Sequence, residues 1–269
     1  MSASPVLTSD AADGVRLITL NRPDRLNAMN EELIDGLHGA LDAADADRDC
    51  RVVIITGTGR GFCAGLDLRG YSEEQADRGA RSPQVRMETQ QAIASLIPKL
   101  RGLRAPTIAA VNGPAAGGGL ALALGCDLRV AARSARFNVA FVRIGLSGCD
   151  IGVSWLLPRL LGASRAFELL LTGRFVDAEE AERIGLASRV VEDGRAVDAA
   201  LELAAAITAN SPMGVWMTKE VMWSQLEIPS LQAGIDLENR TQIVTTFTED
   251  HPEAIAAFLG RRSPEFGNR

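Results

Sequence analysis

Histidine is almost missing from this chain: of 269 residues only His38 and His251 are histidines. Neither stands beside a nucleophile motif, so Ser-His and Cys-His catalysis find no support. No His/Asp/Glu grouping has metal-ligand spacing, and no metal site is expected. Cys50, Cys63, Cys126 and Cys149 are scattered, with neither zinc-site spacing nor a disulfide framework. No G-x-x-x-x-G-K-[ST] stretch occurs, which sets aside P-loop phosphoryl transfer. No apolar run approaches the roughly 18 residues a membrane-spanning helix needs. There is no basic excess either: 28 Lys and Arg against 34 Asp and Glu give a net charge of −6, which argues against nucleic acid or an anionic membrane as partner. The opening MSASPVLTSDAADG has no basic or apolar signal region. A reduced, cytoplasmic protein is the expectation.

What the chain does have is an apolar, aromatic-poor composition: 46% hydrophobic residues with 4% aromatic, the signature of an Ala/Leu/Val-rich core. Its organising stretch is Ala105–Ala132. Thr107–Val111 reads as a buried strand, followed by Asn112-Gly113-Pro114, the triplet Gly117, Gly118 and Gly119, and an Ala/Leu-rich helix ending near Gly125. Glycines at a helix mouth leave N–H groups free to meet a phosphate or an oxyanion. The same glycines fit a junction packed backbone to backbone.

In chain order, Val15–Leu20 and Arg51–Thr56 read as strands. From Asn30 a helix follows with Leu33, Ile34, Leu37, Ala40, Leu41 and Ala44 on one face and His38 on the solvated side. The glycines after Thr56 do not match G-x-G-x-x-G, so a dinucleotide site is not supported. Arg69–Pro83 is polar and reads as a loop or frayed helix, and Pro98 should kink or end the helix carrying Ile93, Leu96, Ile97 and Leu100. Asp127–Ala132 and Phe137–Val142 read as strands, and Ser154–Leu161 and Ser164–Leu171 as helices broken at Gly162. Strands and helices alternate to about Val191, which marks an α/β fold, and only helical signals follow Val197. Two turns, Phe62–Asp67 and Asn112–Gly119, each follow a buried strand. Side by side they could direct two N–H groups at one oxygen, the arrangement that stabilises a thioester enolate.

Arg22–Met29 after Asn21, the run Gly61-Phe62-Cys63-Ala64-Gly65-Leu66-Asp67-Leu68, and Ala109–Gly119 resemble the enoyl-CoA hydratase/isomerase (crotonase) family in order and spacing. Thr172-Gly173-Arg174, Glu179–Leu186 and Ala256–Phe266 extend the likeness over nearly the whole chain. The resemblance implies a crotonase-like spiral of ββα units over residues 1–195, with a C-terminal helical, oligomerising region over 196–269 and assembly as a homotrimer or dimer of trimers. It implies an acyl-CoA thioester substrate, coenzyme A arriving as part of it and no separate cofactor. The carbonyl would be held by the N–H groups of Ala64 and Gly118. Arg25, Leu26, Ala28, Leu66, Asp67, Leu68, Gly117 and Phe141 would line the substrate site, joined by Phe258 and Arg261, often from a neighbouring subunit. Asp67 also reads as a local backbone acceptor. Hydratases of this family carry two glutamates, and here Ala121 and Phe141 hold those positions. Neither can move a proton. Asp150 resembles an aspartate of dienoyl-CoA isomerases and reads equally as an N-cap. One acid suits a double-bond shift better than hydration. The alternative is a non-catalytic CoA-ester-binding or assembly protein on the same fold.

Overall fold

The computed structural model describes residues 4–69 and 82–268. Most of the polar stretch Arg69–Pro83 therefore lies outside the described residues. The core is a six-stranded sheet in the order β1-β2-β3-β4-β6-β9, with β1 (Val6–Ala12) antiparallel to β2 (Val15–Leu20). The other neighbours, β3 (Val52–Gly57), β4 (Thr107–Val111), β6 (Leu128–Ala132) and β9 (Arg189–Val191), run parallel. A small second sheet joins β5 (Ala115–Ala116), β7 (Arg136–Asn138) and β8 (Val176–Asp177).

Alternation explains why the central strands are apolar throughout. Val53, Ile55, Ala109, Val111 and Ala131 face one core, while Val52, Ile54, Ile108, Ala110, Val130 and Ala132 face another. A parallel sheet covered on both faces needs apolar residues at every position. The first core is closed by α1 (Glu31–Ala46), which buries the six residues its spacing predicts and whose first turn is capped by the Asn30 side chain, accepting from Leu33 N at 3.2 Å. His38 departs from its solvated expectation: it is half-buried, with Nε2 2.9 Å from the Ala92 carbonyl oxygen. The next helical stretch divides at Ser95 into α2 (Pro83–Ala94) and α3 (Leu96–Gly102), so the break precedes Pro98 and leaves that proline in a first turn, where it is tolerated.

The buried helix α4 (Gly118–Gly125) follows β5, and α5 (Val153–Leu161) and α6 (Ala163–Thr172) pack as a pair joined at Gly162, φ 81°. Phe137–Val142 is not one strand. Its partner β5 has two residues, so β7 ends at Asn138 and Ala140–Ile144 turns into a 3₁₀ helix. After α7 (Ala178–Arg183), the helix α8 (Ala196–Thr208) covers the second core through Ala196, Ala199, Ala200 and Ala204. The chain ends in three further helices, α9 (Pro212–Gln225), α10 (Leu231–Thr245) and α11 (Asp250–Gly260). Ser211 caps α9, its hydroxyl accepting from Gly214 N at 3.4 Å. A buried ion pair holds α9 down: Lys219 Nζ is 3.0 Å from Asp127 Oδ2 and donates to the carbonyls of Leu100 and Ala105. Among the described residues, no helix is long and apolar enough to cross a membrane.

Candidate active site

Because β3 and β4 are parallel neighbours, the loops that leave them emerge at one end of the sheet. Three segments meet there: the turn after β2, the run Gly61–Asp67, and the glycine turn before α4. Isolated bridges join Met29 to Leu66 and Cys63 to Ala115. Two asparagines tie the loops further. Fully buried Asn27, at φ 56°, accepts from Arg22 N at 2.8 Å and donates to the carbonyls of Thr58 and Gly61 at 3.0 and 2.8 Å. Asn112 accepts from Gly57 N at 3.1 Å and donates to the Gly59 and Gly61 carbonyls. Neither was singled out from sequence as a site residue, although both lie in the segments that carry the likeness. A buried backbone this irregular needs such partners for its polar groups.

Counting donors shows which N–H groups the turns leave over. Cys63 N donates to the Pro114 carbonyl, Ala116 N to Cys63, Gly117 N to Asn138 and Asp67 N to Met29. Ala64 N, the expected oxyanion donor, is engaged by the Leu26 carbonyl at 3.0 Å, so it is not available to a ligand. Among the described residues, the N–H groups without an acceptor include those of Leu66 and Gly118. In the first turn the N–H left without an acceptor is thus that of Leu66, two residues beyond Ala64. Gly118 opens α4, where the helix dipole adds partial positive charge.

The two turns touch. A methyl on Gly65 would stand 2.8 Å from the Ala116 carbonyl oxygen and 3.3 Å from Gly118 N, so only glycine, here at φ 90°, permits the approach. Gly119 serves packing: a methyl there would lie 2.0 Å from the Cys63 carbonyl oxygen. The triplet thus combines an unengaged N–H at Gly118 with close packing at Gly119.

Around these donors the walls are apolar. A methyl on Gly118 would meet Met29 Sδ at 3.1 Å and Ile151 Cδ1 at 3.6 Å, and one on Gly117 would meet the Phe141 ring at 3.4 Å. Ala121 and Phe141 are buried, so neither hydratase-glutamate position offers a carboxylate. The Cys63 thiol, sealed under the turn, is pushed up to about 12 by burial and stays protonated. Asp67 is turned to local duty: it pairs with Arg22 at 2.9 Å and accepts from Arg69 N at 3.3 Å. Burial alone would raise its carboxyl, but Arg22 holds it below the usual carboxylate range. Arg22 also donates to the Ala28 carbonyl, bracing the wall behind Met29.

Asp150 sits immediately before Ile151, whose side chain faces Gly118. Its Oδ1 accepts from Ile151 N at 2.8 Å and from Gln90 Nε2 at 2.6 Å. It does not cap α5, whose N-cap is Gly152 without a side-chain bond. Arg25 and Leu68 are exposed on the rim, Leu26 is half-buried, and Ala28 is buried. Phe258 and Arg261 stand at the end of α11, both exposed. Phe258 is 84% exposed. The segment after α11 is anchored by Asn268 Nδ2 on the Arg48 carbonyl, at the start of β3. The turns leave β3 at its far end, about 20 Å away for a strand of this length. The Arg261 guanidinium has no partner among the described residues.

Comparison with known proteins agrees with this fold. Residues 10–269 match the family described as Enoyl-CoA hydratase/isomerase. A Mycobacterium tuberculosis protein named probable enoyl-CoA hydratase EchA12 is 42% identical over 266 residues, covering 98% of this chain and 93% of its own. The Escherichia coli 1,2-epoxyphenylacetyl-CoA isomerase is 38% identical over 260 residues, 97% of each chain. A Mycobacterium abscessus structure described as a probable enoyl-CoA hydratase/isomerase superposes with a TM-score of 0.90 at 39% identity, over 99% of this chain and 100% of its own.

Proposed function

We propose that this chain, which belongs to the enoyl-CoA hydratase/isomerase family, binds an enoyl-CoA thioester and moves its carbon–carbon double bond. The thioester carbonyl is held by the N–H groups of Leu66 and Gly118, and Asp150 transfers the proton. Asp150 takes a proton from the carbon next to the unsaturated pair, and the electrons run to the carbonyl oxygen as an enolate. The two N–H groups and the α4 dipole stabilise that charge in surroundings with few competing dipoles. The same carboxyl then returns the proton two carbons away, so substrate and product are isomers and no co-reactant is consumed.

The observation that carries this reading is the pair of unengaged donors in two touching turns. What favours isomerisation over hydration is the apolar wall at Ala121 and Phe141. Adding water needs one group to activate it and another to protonate the α-carbon, and those two positions supply neither. The reading extends to assembly. Leu231 on α10, Phe247 in the link between the helices and Phe258 on α11 are exposed apolar side chains, of the kind that a partner covers. A trimer would let a neighbour's tail bring Phe258 and Arg261 to the coenzyme A moiety.

The test is turnover of 2-enoyl-, 3-enoyl- and dienoyl-CoA thioesters by the parent and by Asp150→Asn, with calorimetry of binding in parallel. Binding within a few-fold and isomerisation reduced by about 10² or more are expected. Unchanged turnover in Asp150→Asn would assign the proton transfer elsewhere. Binding without turnover in either protein would favour the non-catalytic CoA-ester-binding alternative.

A further inference from the structure

We propose that Gln90, on α2, is a positioning residue that fixes the Asp150 carboxylate for proton transfer; the inference rests on the catalytic reading of Asp150. Gln90 Nε2 donates to Asp150 Oδ1 at 2.6 Å across 60 residues of sequence. The second donor to the same oxygen is Ile151 N at 2.8 Å. Oδ2 accepts no hydrogen bond among the described residues, so it is the oxygen left for substrate.

The backbone around this clamp is itself constrained. Ile151 is β-branched yet stands at φ 46°, a region such residues rarely enter, and Gly152 follows at φ 76°. Strain of this kind persists only where surrounding contacts over-determine it, and it clusters at functional sites. Here the contacts are the Ile151 side chain against Gly118, the Ile151 N–H on Asp150 Oδ1, and Val153 N on the Asp150 carbonyl at 2.9 Å. They set where the backbone of Asp150 stands. They leave the carboxylate to rotate about its own side-chain bonds, with one short-range bond to its neighbour opposing that. Gln90 supplies the restraint from outside the loop.

Both partners reach solvent, Gln90 as an exposed residue and Asp150 as a half-buried one. A hydrogen bond so placed adds little to folding stability, because water replaces it readily. Its effect falls on geometry, and misplacing a reacting group by about 1 Å costs on the order of 10² in rate. This separates a positioning role from a structural one.

The experiment measures kcat and KM for the 3-enoyl-CoA thioester turned over fastest by the parent, in Gln90→Met, Gln90→Glu, Gln90→Lys, Asp150→Asn and the double variant Gln90→Met/Asp150→Asn. Gln90→Met keeps the length but not the donor, and is expected to lower kcat by about 10- to 100-fold with KM within about twofold. Gln90→Glu sets a carboxylate against a carboxylate and should lower kcat at least as far. Gln90→Lys keeps a donor and should restore most of kcat. Thermal midpoints of the single Gln90 variants should match the parent's. In the Asp150→Asn background, Gln90→Met should have no further effect. Impaired Asp150→Asn with parental kcat in Gln90→Met would overturn the positioning role alone. Parental turnover in Asp150→Asn would overturn the reading it rests on, and the positioning role with it. A Gln90→Met loss that persists undiminished in the double variant, or that Gln90→Lys does not restore, would also overturn it.

Discussion

Leu66→Pro isolates the oxyanion assignment, because it deletes one N–H and, on this structure, breaks no hydrogen bond. Leu66 N has no acceptor among the described residues, whereas Ala64 N is bonded to the Leu26 carbonyl at 3.0 Å. The two positions, two residues apart in one turn, therefore predict opposite phenotypes. Removing one oxyanion donor costs about 10² to 10³ in kcat, or about 2.7–4 kcal/mol of transition-state stabilisation. Leu66 is half-buried against the core, so Leu66→Ala, which gives up that packing but keeps the N–H, is the control: Leu66→Pro should show the loss in kcat relative to it, at a similar urea midpoint. Ala64→Pro removes a bond that joins the loop after β2 to the turn and leaves the carbonyl of half-buried Leu26 without that donor. It should lower stability by about 1–3 kcal/mol. Steady-state turnover and urea unfolding of the three variants, side by side, make the comparison. A folded Leu66→Pro protein with parental kcat would refute the reasoning, and the donor would have to be sought elsewhere in the turn.

Lys219→Met should destabilise the fold by about 3 kcal/mol in urea unfolding, the low end for breaking a buried ion pair, since Asp127 keeps Thr107 and Trp223 as donors; adding Asp127→Asn should recover part of the loss, and a single variant as stable as the parent would reject the claim. Glu253 is held down to about 2 by its hydrogen bonds from Arg262 and from Glu265 N. Because its folded value lies below the unfolded one, the contact is fully present above pH about 4.5 and is lost as pH falls toward 2. Hydrogen exchange of Glu265 N should accelerate, relative to its intrinsic rate, over that window, and protection unchanged down to pH 2 would count against the assignment. Light scattering should give a trimer for the intact protein and smaller species for Phe258→Asp; a monomeric parent would remove the case for Arg261 acting across a subunit boundary.

The parts of this molecule that follow from local periodicity were legible in its sequence. The buried face of α1, its start at Asn30, and the strands Thr107–Val111 and Val15–Leu20 all appear where spacing puts them. What escaped depends on contacts distant in sequence. Nothing near Ala64 reveals that its N–H is occupied by Leu26, so the motif identified the turn but not the free donor within it. Phe137–Val142 is apolar enough for a strand, yet a two-residue partner ends the pairing at Asn138. The bond from Gln90 to Asp150 joins two polar residues with no shared pattern. His38 is half-buried because the Ala92 carbonyl faces it from another helix.

The central claim is that a single carboxyl moves a proton along an enoyl-CoA whose enolate is held by two backbone N–H groups, in a site without the hydratase pair. Product analysis by nuclear magnetic resonance, after incubating the parent protein with 3-enoyl-CoA in deuterated water, addresses it most directly. The account predicts conversion to the 2-enoyl-CoA isomer, with no accumulation of 3-hydroxyacyl-CoA. Rapid formation of 3-hydroxyacyl-CoA from the 2-enoyl thioester, or a double bond that never moves, would contradict it.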